Sequence, residues 1–436
     1  MNFGKMLAGN IAFRSLNIVA GVLVTVLLTS LMSTGGYGVF SLLVVNATIF
    51  SLISCLGSES GITYQFASGG LKPGKIFSII YIIILFQLGV LVLTELIHFN
   101  ITGSYWMTGG KELKLLVWGL IYLFSISLID KYTAFLNGNH LYILANKIIF
   151  FSNIITLTML GCLYFFYELQ DTFFYLQAII ATTCLQAFLL LTFFHIFSKQ
   201  PLRFSSIEKK DWKLFFTYSF VVFITNLIQF LAYRVDYWLV NHYKGIDALG
   251  LYSLSVKLGQ LFWVFPILFA SIIFPRVADK QMKYDVSKFL TLLRISNSFI
   301  FFAMLPAALL AGWFIPFLFG AGFNGSIQPF IILLPGLLMF SVNIMLAAWF
   351  AGRDLLRVNL IGSTICFLLV LLLDLWLIPL KGITGAAMAT SIAYSASALY
   401  SIWKFSRIEN RSIRSIIILQ ANDWVSLKEF YKKLFR

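Results

Sequence analysis

Charged side chains lie deep inside several apolar segments of this chain, and the deepest of them are cationic. The stretch AYRVDYWLVN, residues 232–241, carries Arg234 and Asp236, and later apolar segments carry Lys257 and Arg294. A charged side chain inside a membrane span suggests a functional site when it cannot extend along its helix to water. At about 1.5 Å per residue, Lys257 lies about 12 Å and Arg234 about 10 Å from the outer ends of their spans, and Arg294 about 9 Å from the cytoplasmic end. We therefore expect these three cations to face a hydrated interior, and Lys257 is the strongest candidate.

Two further cations, Arg14 and Lys147, lie closer to the ends of their apolar segments. Each is about 6 Å inside its helix start, so its long side chain can reach water. Such snorkelling explains these two residues at least as well as substrate binding does, and both are secondary candidates.

Acidic residues at depth are fewer. Asp236 and Asp374 are the candidate charge partners, whereas Glu95 and Asp130 lie near segment ends and are expected at the interface. Arg234 and Asp236 are two residues apart, about 200° around a helix, so they should not pair directly. Because deep cationic charge outweighs deep acidic charge, the interior should attract an anion, and a phosphate-bearing substrate fits better than a metal or organic cation.

The elements that carry these charges must be membrane helices, because 60% of the 436 residues are apolar and only 11% are charged. In an ordinary soluble domain, about 45–50% of the residues are apolar and about 25% are charged. The first apolar run has no cleavage site and is long enough to span, so it is expected to remain as the first helix. Runs of about 20 apolar residues predict twelve spans, at residues 11–32, 36–56, 76–99, 113–136, 143–167, 172–197, 214–241, 249–274, 289–312, 327–350, 355–378 and 384–405.

The basic residues between these spans indicate the orientation. With twelve spans, the segments on the amino-terminal side carry 22 Lys and Arg residues and the opposite segments carry four. The positive-inside rule therefore places both termini of this multi-pass membrane protein in the cytoplasm. The same distribution accounts for the net charge of +15, so nucleic acid is not an expected partner.

The longest hydrophilic interruption, KQPLRFSSIEKKDWK at residues 199–213, divides the spans into two sets of six. This predicts an N-terminal lobe at 1–198, a cytoplasmic linker and a C-terminal lobe at 214–405. The motifs GVFSL at Gly38 and GLYSL at Gly250 recur 212 residues apart, and a repeat of six helices predicts two lobes related by a pseudo-twofold axis along the membrane normal. Residues 406–436 form a basic tail, whose end SLKEFYKKLFR predicts an amphipathic helix on the inner leaflet, in contact with membrane lipid.

Catalytic and metal chemistry have little support. The four cysteines are isolated in apolar runs and the four histidines are far apart, so neither a disulfide, a metal site nor a cofactor is predicted. The outer segments are short, and the longest runs only from about residue 100 to residue 112. A membrane glycosyltransferase or polysaccharide polymerase would need a larger outer site, so no enzyme is expected.

The stretch that begins at Arg234 resembles the polysaccharide transport family, the O-antigen and capsule repeat-unit flippases of the multidrug, oligosaccharidyl-lipid and polysaccharide exporter superfamily. The resemblance rests on Asp236, on Gly250, Tyr252 and Ser253 of a G-x-Y-S element, on the Pro275 and Arg276 pair, and on LIPLKGITGAAMAT from Leu377. It extends over nearly the whole chain in helix number and internal symmetry.

This resemblance implies an all-α integral membrane transporter with twelve helices in two six-helix lobes. Its substrate would be an undecaprenyl-pyrophosphate-linked oligosaccharide, as in O-antigen and lipopolysaccharide synthesis, moved to the outer leaflet through a cationic cavity. A polysaccharide polymerase and the chain-length machinery would be its partners. The alternative within the superfamily is a cation-coupled multidrug exporter, which should carry a deep acidic residue in the first half; the sequence shows no evident one.

Overall fold

The computed structural model describes residues 3–68, 71–139, 141–166, 172–198, 203–278, 286–420 and 423. Within these ranges every regular element is helical, and short 3₁₀ turns precede α9 and α11. The helices are α1 Phe3–Leu31, α2 Thr34–Cys55, α3 Ser58–Ser68, α4 Pro73–Thr102, α5 Leu113–Gly138, α6 Tyr142–Phe166, α7 Thr172–Ser198, α8 Lys209–Gln260, α9 Val264–Ala278, α10 Val286–Phe319, α11 Ile327–Gly352, α12 Leu356–Lys381, α13 Ile383–Glu409 and α14 Ile413–Ile417.

The all-α membrane architecture is confirmed. Among the described residues, nine helical stretches are long and apolar enough to cross a membrane, and one of them, Phe223–Ala270, contains a reversal at Gly245. Only helices satisfy their own backbone hydrogen bonds within one apolar segment, which explains why apolar runs here become helices. The count of twelve spans stays a prediction, and α10 extends beyond the predicted ninth span, to Phe319.

The chain divides into two compact units, residues 1–230 and 231–436. The first unit therefore includes the beginning of α8, and the division lies within that helix, beyond the predicted 199–213 linker. Gly57 explains part of this packing: a Cβ atom there would lie 2.4 Å from the backbone oxygen of Ser219, so only glycine lets α8 approach this closely. The end of the basic tail, residues 426–436, lies outside the described residues.

Each unit has its own apolar core. In the first unit, Phe77, Phe135 and Phe194 pack with ring centroids 5.0–6.2 Å apart. In the second unit, Phe289, Trp349 and Phe405 join α10, α11 and α13 in the same way. These cores hold the helices that position the charged side chains.

Candidate functional site

The reversal of α8 brings two predicted cations together in the second unit. Gly245 has φ 83° and ψ 178°, a conformation that breaks the helix and favours glycine. The two arms of α8 then run side by side, and the Arg234 guanidinium donates a hydrogen bond to Gln260 Oε1 at 3.2 Å. Lys257 lies one helical turn before Gln260, and its ammonium interacts electrostatically with Arg234.

Arg234 is held in place by polar and aromatic groups. Its Nη1 donates to the Tyr237 hydroxyl at 2.9 Å, and the guanidinium lies 4.8 Å from the centroid of the same ring. Such a cation–π contact orients the guanidinium but does not neutralise its charge. No carboxylate forms a salt bridge with Arg234 in the described part of the chain.

Lys257 differs from its neighbours in exposure. Residues 252–256 are buried, whereas the Lys257 side chain is exposed. Within the described ranges it has neither a hydrogen bond nor a salt bridge, and the nearest interacting charge is the like charge of Arg234. Two adjacent cations without a carboxylate produce a local positive potential, which an anion from outside the chain can neutralise.

Asp236 interacts electrostatically with Arg234, but its hydrogen bonds are formed with other groups. It is buried, and its Oδ2 accepts a hydrogen bond from the Tyr252 hydroxyl at 2.6 Å and a longer one from Thr390 Oγ1 at 3.4 Å. Tyr252 belongs to the G-x-Y-S element, so that element positions this carboxylate.

Asp374 lies in the same part of the second unit and is completely buried. Neither of its carboxylate oxygens has a hydrogen-bond partner among the described residues, and it interacts electrostatically with Asp236. A buried carboxyl group without partners opposes stability, since its loss of hydration is not replaced.

Arg294 has a partner that the sequence did not suggest. Its Nε and Nη2 donate to Asp423 Oδ2 and Oδ1 at 2.7 and 2.6 Å, and the two side chains are only 5% and 1% exposed. Thr291 donates to the same carboxylate at 2.9 Å, and Arg294 also donates to the Ser415 backbone oxygen. The guanidinium therefore binds the C-terminal tail in this structure and does not face a hydrated interior.

The two cations of the first unit are less informative. The side chain of Arg14 lies outside the described residues. Lys147 is exposed, and its ammonium lies 5.4 Å from the centroid of the Phe13 ring, so a cation–π contact joins α6 to α1.

The structure shows the contacts of Glu95 and Asp130, and their position at the interface stays a prediction. Glu95 is completely buried and accepts hydrogen bonds from the backbone N–H groups of Trp106 and Met107, at 2.7 and 2.8 Å. Asp130 interacts electrostatically with the buried Lys131, which forms an ion pair with the partly exposed Glu59. Glu59, which binds the buried Lys131, is an acidic residue of the first half that none of the predicted spans includes.

Sequence reasoning missed this pair because the predicted span 36–56 ends before Glu59. The available signal was Lys131 itself, which lies inside span 113–136.

These features define an all-helical membrane protein with charged residues close to breaks in its helices, at Leu56–Gly57 in the first unit and at Gly245 in the second.

Solved structures share this fold. The inward closed conformation of the lipid II flippase MurJ is 17% identical, with a TM-score of 0.74 over 97% of this chain and 93% of that chain. The inward-facing conformation of a multidrug resistance MATE family transporter of the MOP superfamily is 14% identical, with a TM-score of 0.70 over 92% of this chain and 98% of the other. A MOP superfamily transporter from Pyrococcus furiosus, described as having a binding pocket of reverse polarity, is 14% identical. Its TM-score is 0.61 over 93% of this chain and 95% of that chain.

The family itself is shown by sequence: residues 8–281 match the model of the polysaccharide biosynthesis protein family, and the chain belongs to that family. Curated protein sequences give no match. The resemblance inferred from Asp236 and the G-x-Y-S element is thereby confirmed at the level of the family, and the fold is shared with transporters of the MOP superfamily.

Proposed function

We propose that this protein translocates undecaprenyl-pyrophosphate-linked oligosaccharide repeat units, of the O-antigen or capsule kind, from the cytoplasmic to the outer leaflet of the bacterial cytoplasmic membrane. The mechanism is alternating access through a cationic cavity. Both termini lie in the cytoplasm, and a polysaccharide polymerase with its chain-length machinery receives the product. The role is transport without catalysis.

The observation that carries this proposal is the exposed Lys257 beside Arg234, with no carboxylate bound to either. A pyrophosphate cannot enter hydrocarbon unless its charge is compensated, and two fixed cations at membrane depth supply that compensation. The family description supports a role in polysaccharide synthesis, and the fold is shared with a flippase of another lipid-linked substrate. Arg14 and Lys147 are secondary contributors to the same binding, whereas Arg294, bound to Asp423, is not included.

The multidrug exporter remains the second candidate. Its support is the fold of the MATE family transporter together with Glu59, a carboxylate of the first unit that binds the buried Lys131. Asp236 and Asp374 are buried carboxyl groups of the second unit.

A deletion strain separates the two functions. We expect lipid-linked oligosaccharide to accumulate on the cytoplasmic face and surface polysaccharide to be lost. The wild-type gene and a Lys257→Arg variant should restore the polysaccharide, whereas Lys257→Ala should not. Lys381→Ala is the matched control, because Lys381 is also an exposed lysine and lies at the end of α12. Normal surface polysaccharide in the deletion strain, combined with drug hypersensitivity, would favour the exporter.

A further inference from the structure

An apolar groove in the second unit is not used by the proposed phosphate site. It has a volume of about 370 Å³ and is formed by the end of α8, the 3₁₀ turn Leu261–Trp263, α9, α10 and α11. Ligand pockets in proteins typically have volumes of about 300–1,000 Å³. In the described part of the chain, every residue that lines the groove is apolar, so the ligand that it can hold is a hydrocarbon chain.

The shape of the groove follows from the side chains of α10. Ala303 and Ala307 lie one turn apart on that helix and both line the groove. Their methyl groups leave open the space that larger side chains would fill. The lining residues of α10 extend from Phe299 to Phe314, a distance of about 22 Å along the helix. The groove is therefore long enough for an extended hydrocarbon chain.

An aromatic pair joins two helices at each end of the groove. The Phe265 and Phe299 rings connect α9 to α10, with their centroids 4.6 Å apart. The Phe314 and Phe330 rings connect α10 to α11, with their centroids 6.0 Å apart. Phe265 and Phe299 are 43% and 51% exposed, so hydrocarbon outside the protein can reach the groove at this end.

The groove lies beside the cationic pair. The side chains one helical turn beyond Lys257 are those of Gln260 and Leu261. Gln260 accepts the hydrogen bond from Arg234, whereas Leu261 lines the groove, as does Leu258, the residue after Lys257. Lys257 is thus placed between Arg234 and the groove. One ligand can therefore bind the two cations with a charged head and the groove with its chain.

The 3₁₀ turn between α8 and α9 anchors this side of the groove. Trp263 is buried, and its Nε1–H donates a hydrogen bond to the Leu337 backbone oxygen of α11 at 3.1 Å. Phe262, the preceding residue of the turn, lines the groove. Because the turn is fixed to α11, the wall next to Lys257 exists before a ligand binds, as in most ligand pockets.

The position of the cations determines which lipid can occupy the groove. Hydrocarbon gains no hydrophobic free energy when it moves from lipid tails into a protein groove, because both surroundings are apolar. Selection must therefore come from the head of the ligand. An ordinary phospholipid keeps its phosphate at the membrane surface, whereas Lys257 lies about 12 Å inside its predicted span. A lipid whose phosphate enters the membrane can bind the cations and the groove together.

We propose that this groove binds the isoprenoid chain of a polyprenyl pyrophosphate while Lys257 and Arg234 bind the pyrophosphate of the same molecule. The inference rests on the proposed function and adds a site for the lipid part of its substrate. The head supplies the selectivity, and the groove fixes the direction of the chain relative to the head. Both cations and the whole groove belong to the second unit, so this unit binds head and chain together.

The test is photo-crosslinking of the full-length protein in nanodiscs of phosphatidylethanolamine and phosphatidylglycerol that contain a small fraction of undecaprenyl pyrophosphate. Phe265→benzoylphenylalanine places the photoreactive group in the groove. Phe302→benzoylphenylalanine is the matched control, because Phe302 is 64% exposed on α10 and does not line the groove. At position 265, undecaprenyl pyrophosphate should be captured at least about tenfold above its mole fraction, and at position 302 in proportion to it.

Two further measurements show whether the head selects the occupant. Lys257→Ala should abolish the enrichment at position 265, because the pyrophosphate is no longer held beside the groove. Undecaprenol, which has the same chain without the phosphate groups, should not be enriched. Capture at position 265 in proportion to mole fraction would mean that ordinary acyl chains fill the groove, and the proposal would fail. Enrichment that persists in Lys257→Ala, or that occurs with undecaprenol, would overturn it as well.

Filling the groove should have the same effect without changing either cation. Ala307→Phe places a ring at the middle of the groove, so it should abolish the enrichment at position 265 and reduce surface polysaccharide in the complementation assay. Leu309→Phe is the control, because Leu309 is 84% exposed on the same helix and lies outside the groove. It should leave both readouts unchanged. An Ala307→Phe protein that retains both the enrichment and export would contradict the proposal.

The deletion strain distinguishes a failure of this inference from a failure of the proposed function. If the enrichment is found while the deletion strain has normal surface polysaccharide, the proposed function fails and the groove stands as a polyprenyl pyrophosphate site. If surface polysaccharide is lost in the deletion strain but the enrichment is absent, the inference fails and the proposed function stands.

Discussion

Replacing Asp423 with alanine should destabilise the second unit strongly. The carboxylate and its partner Arg294 are 1% and 5% exposed and are joined by two charge-assisted hydrogen bonds. Removing one member of a buried pair leaves the other charge uncompensated and costs about 3–5 kcal/mol. One kcal/mol shifts the unfolding temperature of a unit of this size by about 2–4 °C, so the expected loss is roughly 6–20 °C.

The assay is thermal unfolding of the purified protein, followed by its size-exclusion profile. Glu112→Ala is the matched control, because the Lys114–Glu112 pair is equally short at 2.7 Å, but its side chains are 48% and 55% exposed. An exposed pair contributes at most about 1 kcal/mol. The double variant Arg294→Met with Asp423→Leu should unfold near the wild-type temperature, because it leaves no buried charge.

The pH dependence gives the same pair a second signature. Burial opposes ionisation of Asp423, but hydrogen bonds from Arg294, the Gln420 backbone N–H and Thr291 outweigh it and lower the pKa of the carboxyl. The folded state then binds fewer protons than the unfolded state, so the stabilisation is complete above the ordinary carboxyl pKa of about 3.9 and is lost as the pH falls through the lower folded value.

If Asp423→Ala unfolds at the wild-type temperature at neutral pH, the buried pair does not stabilise this unit and the reasoning is wrong.

Three further outcomes follow from packing and charge. Gly336→Ala should lower stability by about 1–3 kcal/mol, because its Cβ would lie 2.4 Å from the Ser391 Cα and separate α11 from α13. Gly161→Ala, whose Cβ meets nothing within 4 Å, should be neutral or gain up to about 1 kcal/mol of helix stability; thermal unfolding checks both. Asp374→Leu should raise the unfolding temperature, since it removes a buried carboxyl group without hydrogen-bond partners, while lowering export in the complementation assay. A decrease in its unfolding temperature would show that Asp374 has a stabilising partner.

Hydropathy predicted the helices because a spanning helix forms all its backbone hydrogen bonds within one segment of the chain. The partners of the charges were not predictable in the same way. Lys131 and Glu59 are 72 residues apart, and Arg294 and Asp423 are 129 residues apart, the latter with one member outside every predicted span. Depth in a span measures how costly an unpaired charge would be, but it does not reveal whether a distant carboxylate compensates that charge.

The effect of removing a cation should therefore depend on whether that cation has a carboxylate partner. Lys131 and Arg294 are buried against carboxylates, so neutralising one partner should first change stability. Lys257 is exposed and has no carboxylate partner among the described residues, and exposed side chains away from such networks usually change stability by less than about 0.5 kcal/mol when replaced. A Lys257→Ala protein that unfolds at the wild-type temperature but fails to export has lost an interaction with something outside the chain. Because the group lost is a cation beside a second cation, that external partner must carry negative charge.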